Sequence, residues 1–193
     1  REQLGDVPVA VVEKARAPGA HLLSGVVVNP RGFRELFPGM LTEDMPFRAP
    51  VVREGVYFLT PKRHLRVPAP PPMWNHNHYV ASLSEVGRWL AEKAEEVGVT
   101  LVPETTARTL VVSGGRVVGV RTGDRGRGKD GEELPNFESG SDIRARVTIL
   151  AEGTQGHLAG VASQRFDLAS RPQVYALGVK EVWEVPKPLR RVI

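Results

Sequence analysis

A glutamate closing an apolar run, and a glycine-punctuated turn ahead of a helix, are the two places where residue type and spacing suggest chemistry. Glu13 follows VPVAVV, Val7 to Val12, whose unbroken apolar character reads as a buried parallel strand. Open α/β sheets bind ligands beyond the carboxyl ends of their strands, where an acid accepts hydrogen bonds from ribose hydroxyls. A solvated strand-end carboxylate is the plainer alternative. In the turn AEGTQG, Ala151 to Gly156, the glycines Gly153 and Gly156 allow backbone to approach a phosphate closely. The unpaired amides of the next helix's first turn favour negative charge. A tight strand-to-helix connection without a ligand would look the same.

Other chemistry finds little support. His76 and His78 alternate as two ligands on a strand would, but no third ligand lies at useful spacing. No HExxH motif and no Ser, His and Asp arrangement stands out, so a hydrolase reading has no anchor. The chain has no cysteine, which excludes a disulfide, a zinc–thiolate site or a cysteine-held iron–sulfur cluster within these residues. The net charge of +4 permits attraction to phosphates or an anionic surface. Twenty of the 26 basic residues are arginines scattered along the chain, and mixed-sign stretches such as DRGRGKDGEE read as solvated loops, so no nucleic-acid partner is expected.

The 193 residues, 41% apolar and 25% charged, suit an ordinary globular domain, and no apolar run approaches the roughly 20 residues that span a bilayer. The opening REQLGD reads as the tail of a helix, so the chain is expected to begin inside a βαβ unit whose first strand and turn are absent. The clearest helix is Leu83 to Val97, with Ser82 and Glu85 spaced as a capping box and Gly98 as the stop. VTLVP, TARTLVV and RVVGVRT read as strands of a meander, the last two joined across Ser113-Gly114-Gly115. Residues 123–142 read as an exposed loop or extended hairpin. Arg146 to Leu150 reads as a strand leading into the AEGTQG turn, His157 onward as a helix, and YALGVKEVWEV from Tyr175 as a closing strand. The proline-rich stretch from Pro46 to Met73 is expected to hold short strands joined by extended turns.

Taken in order, VVEKARAPGAHLLSG, NPRGFRELFP, VGVTLVP, GKDGEELPNFESG, RVTILAEGTQGHLAG and YALGVKEVWEV resemble the electron-transfer-flavoprotein:ubiquinone oxidoreductase family. The pairing of EKxxxxGAHxLSG with AEGxxGHL is specific where neither half is alone. The resemblance implies an α/β fold, a Rossmann-like FAD-binding domain of the glutathione-reductase or hydroxylase type, truncated at both ends, with a β-meander and an inserted proline-rich β segment. It divides the chain into 1–45, part of the FAD domain with a membrane- or quinone-side loop; 46–80, the inserted segment; 81–163, the rest of the FAD domain; and 164–193, the start of a substrate or quinone domain.

The resemblance also implies site residues. Glu13, with Lys14 beside it, would hold the FAD ribose; Gly19, Ser24 and Gly25 would lie in a loop near the flavin; Thr106 and Ala107 would border the adenine. Gly153 and Gly156 would lie along the pyrophosphate and ribitol. Phe33, Leu36 and Phe37 would be apolar contacts of a membrane surface lining the quinone entrance, although an inner helix face packed on the FAD domain would use the same residues. The parent enzyme would carry FAD and a [4Fe–4S] cluster bound outside these residues. It would pass electrons from electron-transfer flavoprotein to ubiquinone, peripherally on the inner respiratory membrane, at its cytoplasmic face in a bacterium. The fragment alone is expected to be inactive. It departs from the family pattern at Thr154, where a cysteine comes after AEG, and lacks the first glycine-rich turn. A geranylgeranyl-reductase-like enzyme, a flavin hydroxylase or a cofactor-free scaffold are the competing expectations.

Overall fold

The computed structural model describes residues 7–23, 25–154, 156–179, 184 and 186. In chain order its strands are β1 (Ala10–Val12), β2 (Val26–Val28), β3 (Ala49–Pro50), β4 (Val56–Leu59), β5 (His64–Val67), β6 (Tyr79–Ala81), β7 (Thr100–Val102), β8 (Ala107–Ser113), β9 (Arg116–Thr122), β10 (Arg125–Arg127), β11 (Glu133–Glu138) and β12 (Asp142–Arg144). The helices are α1 (Arg31–Leu36), α2 (Leu83–Glu96) and α3 (His157–Arg165). The fold is mixed α/β, in two compact units. Among the described residues, Val7 to Ala17 with Gly98 to Val179 form the first, and Pro18 to Val97 form the second.

In the first unit β1 pairs in parallel with β7, Ala10 opposite Thr100 and Val12 opposite Val102. The parallel pairing agrees with the sequence, but burial does not: Val9 and Val11 are exposed, and among the described residues β1 pairs with β7 in a two-stranded sheet. β8 and β9 form the expected hairpin, with Gly114 and Gly115 at φ +56° and +74°, the left-handed pair that a two-residue turn between twisted strands requires. The meander's third strand is β12, on the far edge of β9, while VTLVP joins β1 instead. β10 and β11 form a second hairpin from the polar stretch. α3 packs on β8 and buries Leu158 and Ala162.

Two expected strands are not seen among the described residues. Pairing along β9 ends where the Ala145 amide donates to the Val118 carbonyl at 3.0 Å, and from Arg146 to Leu150 no strand among the described residues takes up the backbone. Val147 and Ile149 are consequently 75% and 83% exposed. The described part of YALGVKEVWEV, Tyr175 to Val179, is likewise unpaired and exposed, and most residues beyond Val179 lie outside the described ones.

In the second unit β6 lies between β2 and β3, antiparallel to both, and Pro50 sits on the edge strand β3, where its missing N–H costs no ladder bond. β4 and β5 form a hairpin closed by the Thr60 amide donating to Arg63 at 2.8 Å. The proline-rich stretch thus holds short strands, as its composition suggests. An aromatic cluster gathers between α1 and α2: Phe37 lies edge-on to Trp89 at 4.9 Å, Phe33 edge-on to Phe47 at 5.1 Å, and Phe47 stacks on Tyr79 at 4.9 Å. The α2 helix starts after Ser82 as expected, and Gly98 at φ +80° comes directly after its C-cap, Val97. The capping box does not form. The Ser82 side chain does not cap the first turn, and the Glu85 carboxylate is held by Arg48, with Nε to Oε2 at 2.9 Å and a second bond from Nη2 to Oε1.

Candidate functional site

The first unit brings Glu13 and the Thr106–Ala107 pair to one place. The Glu13 amide donates to Val102 at 3.0 Å, continuing the β1–β7 ladder one step past the strand, and its carbonyl accepts the Thr105 amide at 2.9 Å. Two residues on, the Ala15 carbonyl accepts the Glu104 amide at 3.0 Å. The turn after β7 is therefore laid along the end of β1 by three backbone bonds, with Glu104 at φ +51° making the bend. Thr106 comes directly after it and its carbonyl accepts the Gly123 amide at 2.8 Å, while Ala107 opens β8 opposite Thr122.

The half-buried Glu13 carboxylate folds back on its own chain, Oε1 accepting the Ala15 amide at 2.7 Å. Its Oε2 makes no hydrogen bond among the described residues, which leaves an acceptor at the strand end. Lys14 is exposed beside it.

At the start of α3, Gly153 has φ +78°, and a Cβ built there would meet nothing within 4 Å. Conformation, not crowding, makes this position a glycine. Gly156 is the N-cap of α3 and its amide donates to Gly153 at 3.3 Å. A Cβ on Gly156 would come to 2.7 Å from the Glu152 Cβ and 2.9 Å from its Oε2. That oxygen accepts the Ala159 amide at 2.8 Å, so one first-turn donor of α3 is already satisfied from within the chain. Thr148, three residues before the turn, has a buried hydroxyl without a partner among the described residues.

The remaining expected residues lie in the second unit. Gly19 is buried at φ +83°, and a Cβ there would run into the Ser84 carbonyl of α2. The Ser84 hydroxyl donates to the Leu22 carbonyl at 3.1 Å, and the Leu22 amide donates to the Gly19 carbonyl at 3.1 Å, clasping this turn onto the helix. Gly25, at φ +81°, is open to solvent; Ser24 lies outside the described residues. Phe33 and Phe37 are half-buried against Trp89, whereas Leu36 is 71% exposed. His78 Nδ1 lies 3.3 Å from Asn75 Oδ1, and His76 meets Trp74 edge-on.

Sequence reasoning missed Thr105, Arg125 and Glu152. Thr105 is 6% exposed, and its hydroxyl donates to the Pro103 carbonyl at 3.0 Å and accepts Arg125 Nη2. The Arg125 contact spans 20 residues and leaves no local signal. The signal for Glu152, an acid shortly before a glycine that starts a helix, is visible but weak.

Comparison with known proteins gives a consistent result. The chain is 42% identical over 189 residues to a probable electron transfer flavoprotein-ubiquinone oxidoreductase of Acinetobacter baylyi, covering 94% of this chain and 33% of that protein. It is 44% identical over 184 residues to the probable mitochondrial protein of that name from Schizosaccharomyces pombe, covering 94% and 29%. Against the human mitochondrial electron transfer flavoprotein-ubiquinone oxidoreductase it is 40% identical over 185 residues, covering 93% and 30%. The chain spans about a third of the length of the curated relatives it matches. No protein-family model matches it. Among solved structures it is similar to Thermovibrio ammonificans THI4, with TM-score 0.47, 16% identity, and coverage of 84% of this chain and 53% of that one. A geranylgeranyl bacteriochlorophyll reductase-like protein of Thermoplasma acidophilum gives TM-score 0.46 at 16% identity, covering 72% and 32%.

Proposed function

On the premise that this chain belongs to the electron transfer flavoprotein-ubiquinone oxidoreductase family, as a segment about a third of the members' length, we propose that it supplies part of an FAD site. The parent enzyme passes electrons from electron-transfer flavoprotein to ubiquinone. The observation that carries this reading is the identity of 40 to 44% over nearly the whole chain, which includes both the EKxxxxGAHxLSG and AEGxxGHL stretches.

The residues present fit FAD in three respects. Glu13 offers, at a parallel strand's C-terminal end, a carboxylate oxygen with no hydrogen bond among the described residues, which suits ribose hydroxyls. Gly153 presents backbone to open space, which suits close approach by phosphate. Thr148 holds a buried hydroxyl lacking a partner among the described residues. Lys14 adds a positive charge beside the ribose, Thr106 and Ala107 border the adenine, and Gly156 continues the phosphate path. Gly19, Ser24 and Gly25 belong to the flavin-side loop. Bound FAD supplies the electron-carrying chemistry, and these residues hold and orient it. A cysteine-held [4Fe–4S] cluster does not fit this chain, which has no cysteine.

The reading keeps 1–45 and 81–163 as parts of the FAD domain, 46–80 as an insertion and 164–193 as the start of a quinone domain. Peripheral contact with the inner respiratory membrane, at the cytoplasmic face in a bacterium, falls to the surface around α1. On α1 Leu36 is exposed and Arg34 stands in the last turn, Leu41 is exposed just beyond the helix, and Phe33 and Phe37 pack on Trp89. No helix among the described residues is long and apolar enough to cross a membrane.

The test is made on the full-length protein. Loaded with FAD and reduced by electron-transfer flavoprotein, it should be reoxidised by a short-chain ubiquinone in a spectrophotometer. A protein that stays colourless after exposure to FAD, or whose flavin is not reoxidised by quinone, contradicts the reading.

A further inference from the structure

We propose that Arg125 is a positioning residue for the adenosine end of the FAD site, acting as a latch on the turn that carries Thr106. The inference rests on the FAD reading above.

The turn from Pro103 to Thr106 must bend sharply, and Glu104 takes a left-handed φ of +51° to do it, a conformation costly for a residue with a Cβ. Something must hold it. On one side the end of β1 does so, through Thr105 donating to Glu13 and Glu104 donating to Ala15. On the other side is Arg125. Its Nη2 donates to the Pro103 carbonyl at 3.1 Å and to the Thr105 hydroxyl, and that hydroxyl itself donates to Pro103 at 3.0 Å. One guanidinium nitrogen thus closes a ring of hydrogen bonds over the bend, and the buried Thr105 hydroxyl has both its donor and acceptor roles filled.

Arg125 is anchored in turn. It opens β10, next to Asp124, whose carboxylate accepts the Gly140 amide at 3.0 Å and Arg127 Nε at 2.7 Å, fixing the base of the β10–β11 hairpin. The Gly123 amide, two residues before Arg125, donates to the Thr106 carbonyl. The hairpin base therefore grips the turn at Pro103, Thr105 and Thr106, while the other side of the turn is bound to the residue proposed to hold the ribose. A shift of the turn would move Thr106 and the backbone around Glu13 together. Arg125 touches neither directly as a ligand; its effect passes through Thr105.

The experiment uses the full-length apoprotein and its R125M and R125K variants, titrated with FAD, with ADP and with FMN. R125M should bind FAD and ADP about tenfold more weakly, because binding must then also order the turn, with FMN affinity unchanged. R125K, which keeps the charge and a donor, should recover part of the loss. The amides of Glu104 and Thr105 should exchange with solvent faster in R125M even without FAD. A wild type that binds no FAD overturns the functional reading and this inference with it. A wild type that binds FAD beside an R125M of equal affinity and unchanged amide exchange overturns the latch alone. Equal weakening of FMN, or a fall in melting temperature that R125K shares, reduces Arg125 to a general structural role and also overturns it.

Discussion

Thr105 and Glu13 are joined by a backbone hydrogen bond of 2.9 Å, so the turn that leaves β7 rests on the residue that closes β1. The same short stretch presents the Glu13 Oε2, which has no hydrogen bond among the described residues, and orders the start of β8. Glu13 and Thr106, from two separate parts of the sequence, thereby share one support.

At the α3 N-terminus the Glu152 carboxylate accepts the Ala159 amide of the first turn. Glu152→Ala removes the acceptor of the Ala159 amide and should destabilise the protein by about 1 kcal/mol, as loss of an N-cap does. Gly156→Ala, whose Cβ would press on the Glu152 side chain, should cost a similar amount through the same bond. Denaturant melts of each single variant beside the wild type check both losses; a Glu152→Ala protein as stable as the wild type would show that the bond to Ala159 contributes nothing.

Around α1, Leu36 and Phe37 differ in surroundings, and so in what their loss should do. Phe37→Ser removes a ring packed on Trp89 and should lower stability by about 2 kcal/mol, less than the roughly 3–5 of a fully buried Phe. Leu36→Ser should leave the melting temperature unchanged and weaken flotation of the full-length protein with anionic liposomes. If Leu36→Ser floats like the wild type, Leu36 is not a membrane contact.

Acid should loosen the edges of the meander. The Gly140 amide and Arg127 hold the Asp124 carboxyl below the ordinary carboxylate range, and Arg121 does the same for Asp142. A carboxylate with a depressed folded value contributes stability that is complete above its unfolded value, near about 3.9, and lost as pH falls through the folded value. The Gly140 amide proton shift should therefore titrate with a midpoint below about 3.9, and Asp124→Asn should abolish that titration. A midpoint at or above the ordinary value would contradict the bond geometry.

What could be read in advance was local. Gly114-Gly115 announces its own hairpin, and the apolar spacing of α2 with Gly98 beyond it announces its own helix, because both signals lie within a few residues of the structure they set. Long-range competition decided the rest. Glu85 has the spacing of a capping partner, yet Arg48, 37 residues earlier, takes its carboxylate. Val147 and Ile149 have a strand's alternation, but a strand also needs a neighbour to accept its hydrogen bonds, and sequence pattern does not report one. Phe33 and Phe37 read equally as an inner or an outer face until Trp89 is placed against them. In the candidate site, Glu13 and the two glycines carry signals of position, while Thr105 and Arg125 matter only because folding brings them together.

The central claim is that the end of β1 binds the ribose of FAD, and titration of full-length apoprotein with FAD, wild type beside Glu13→Ala, tests it most directly. Loss of the carboxylate should weaken binding by about 1–3 kcal/mol, the range for charge-assisted hydrogen bonds. The melting temperature of the apoprotein should move little, because the carboxylate's one bond within the described chain is to the nearby Ala15 amide. Equal FAD affinity for the two proteins would contradict the account.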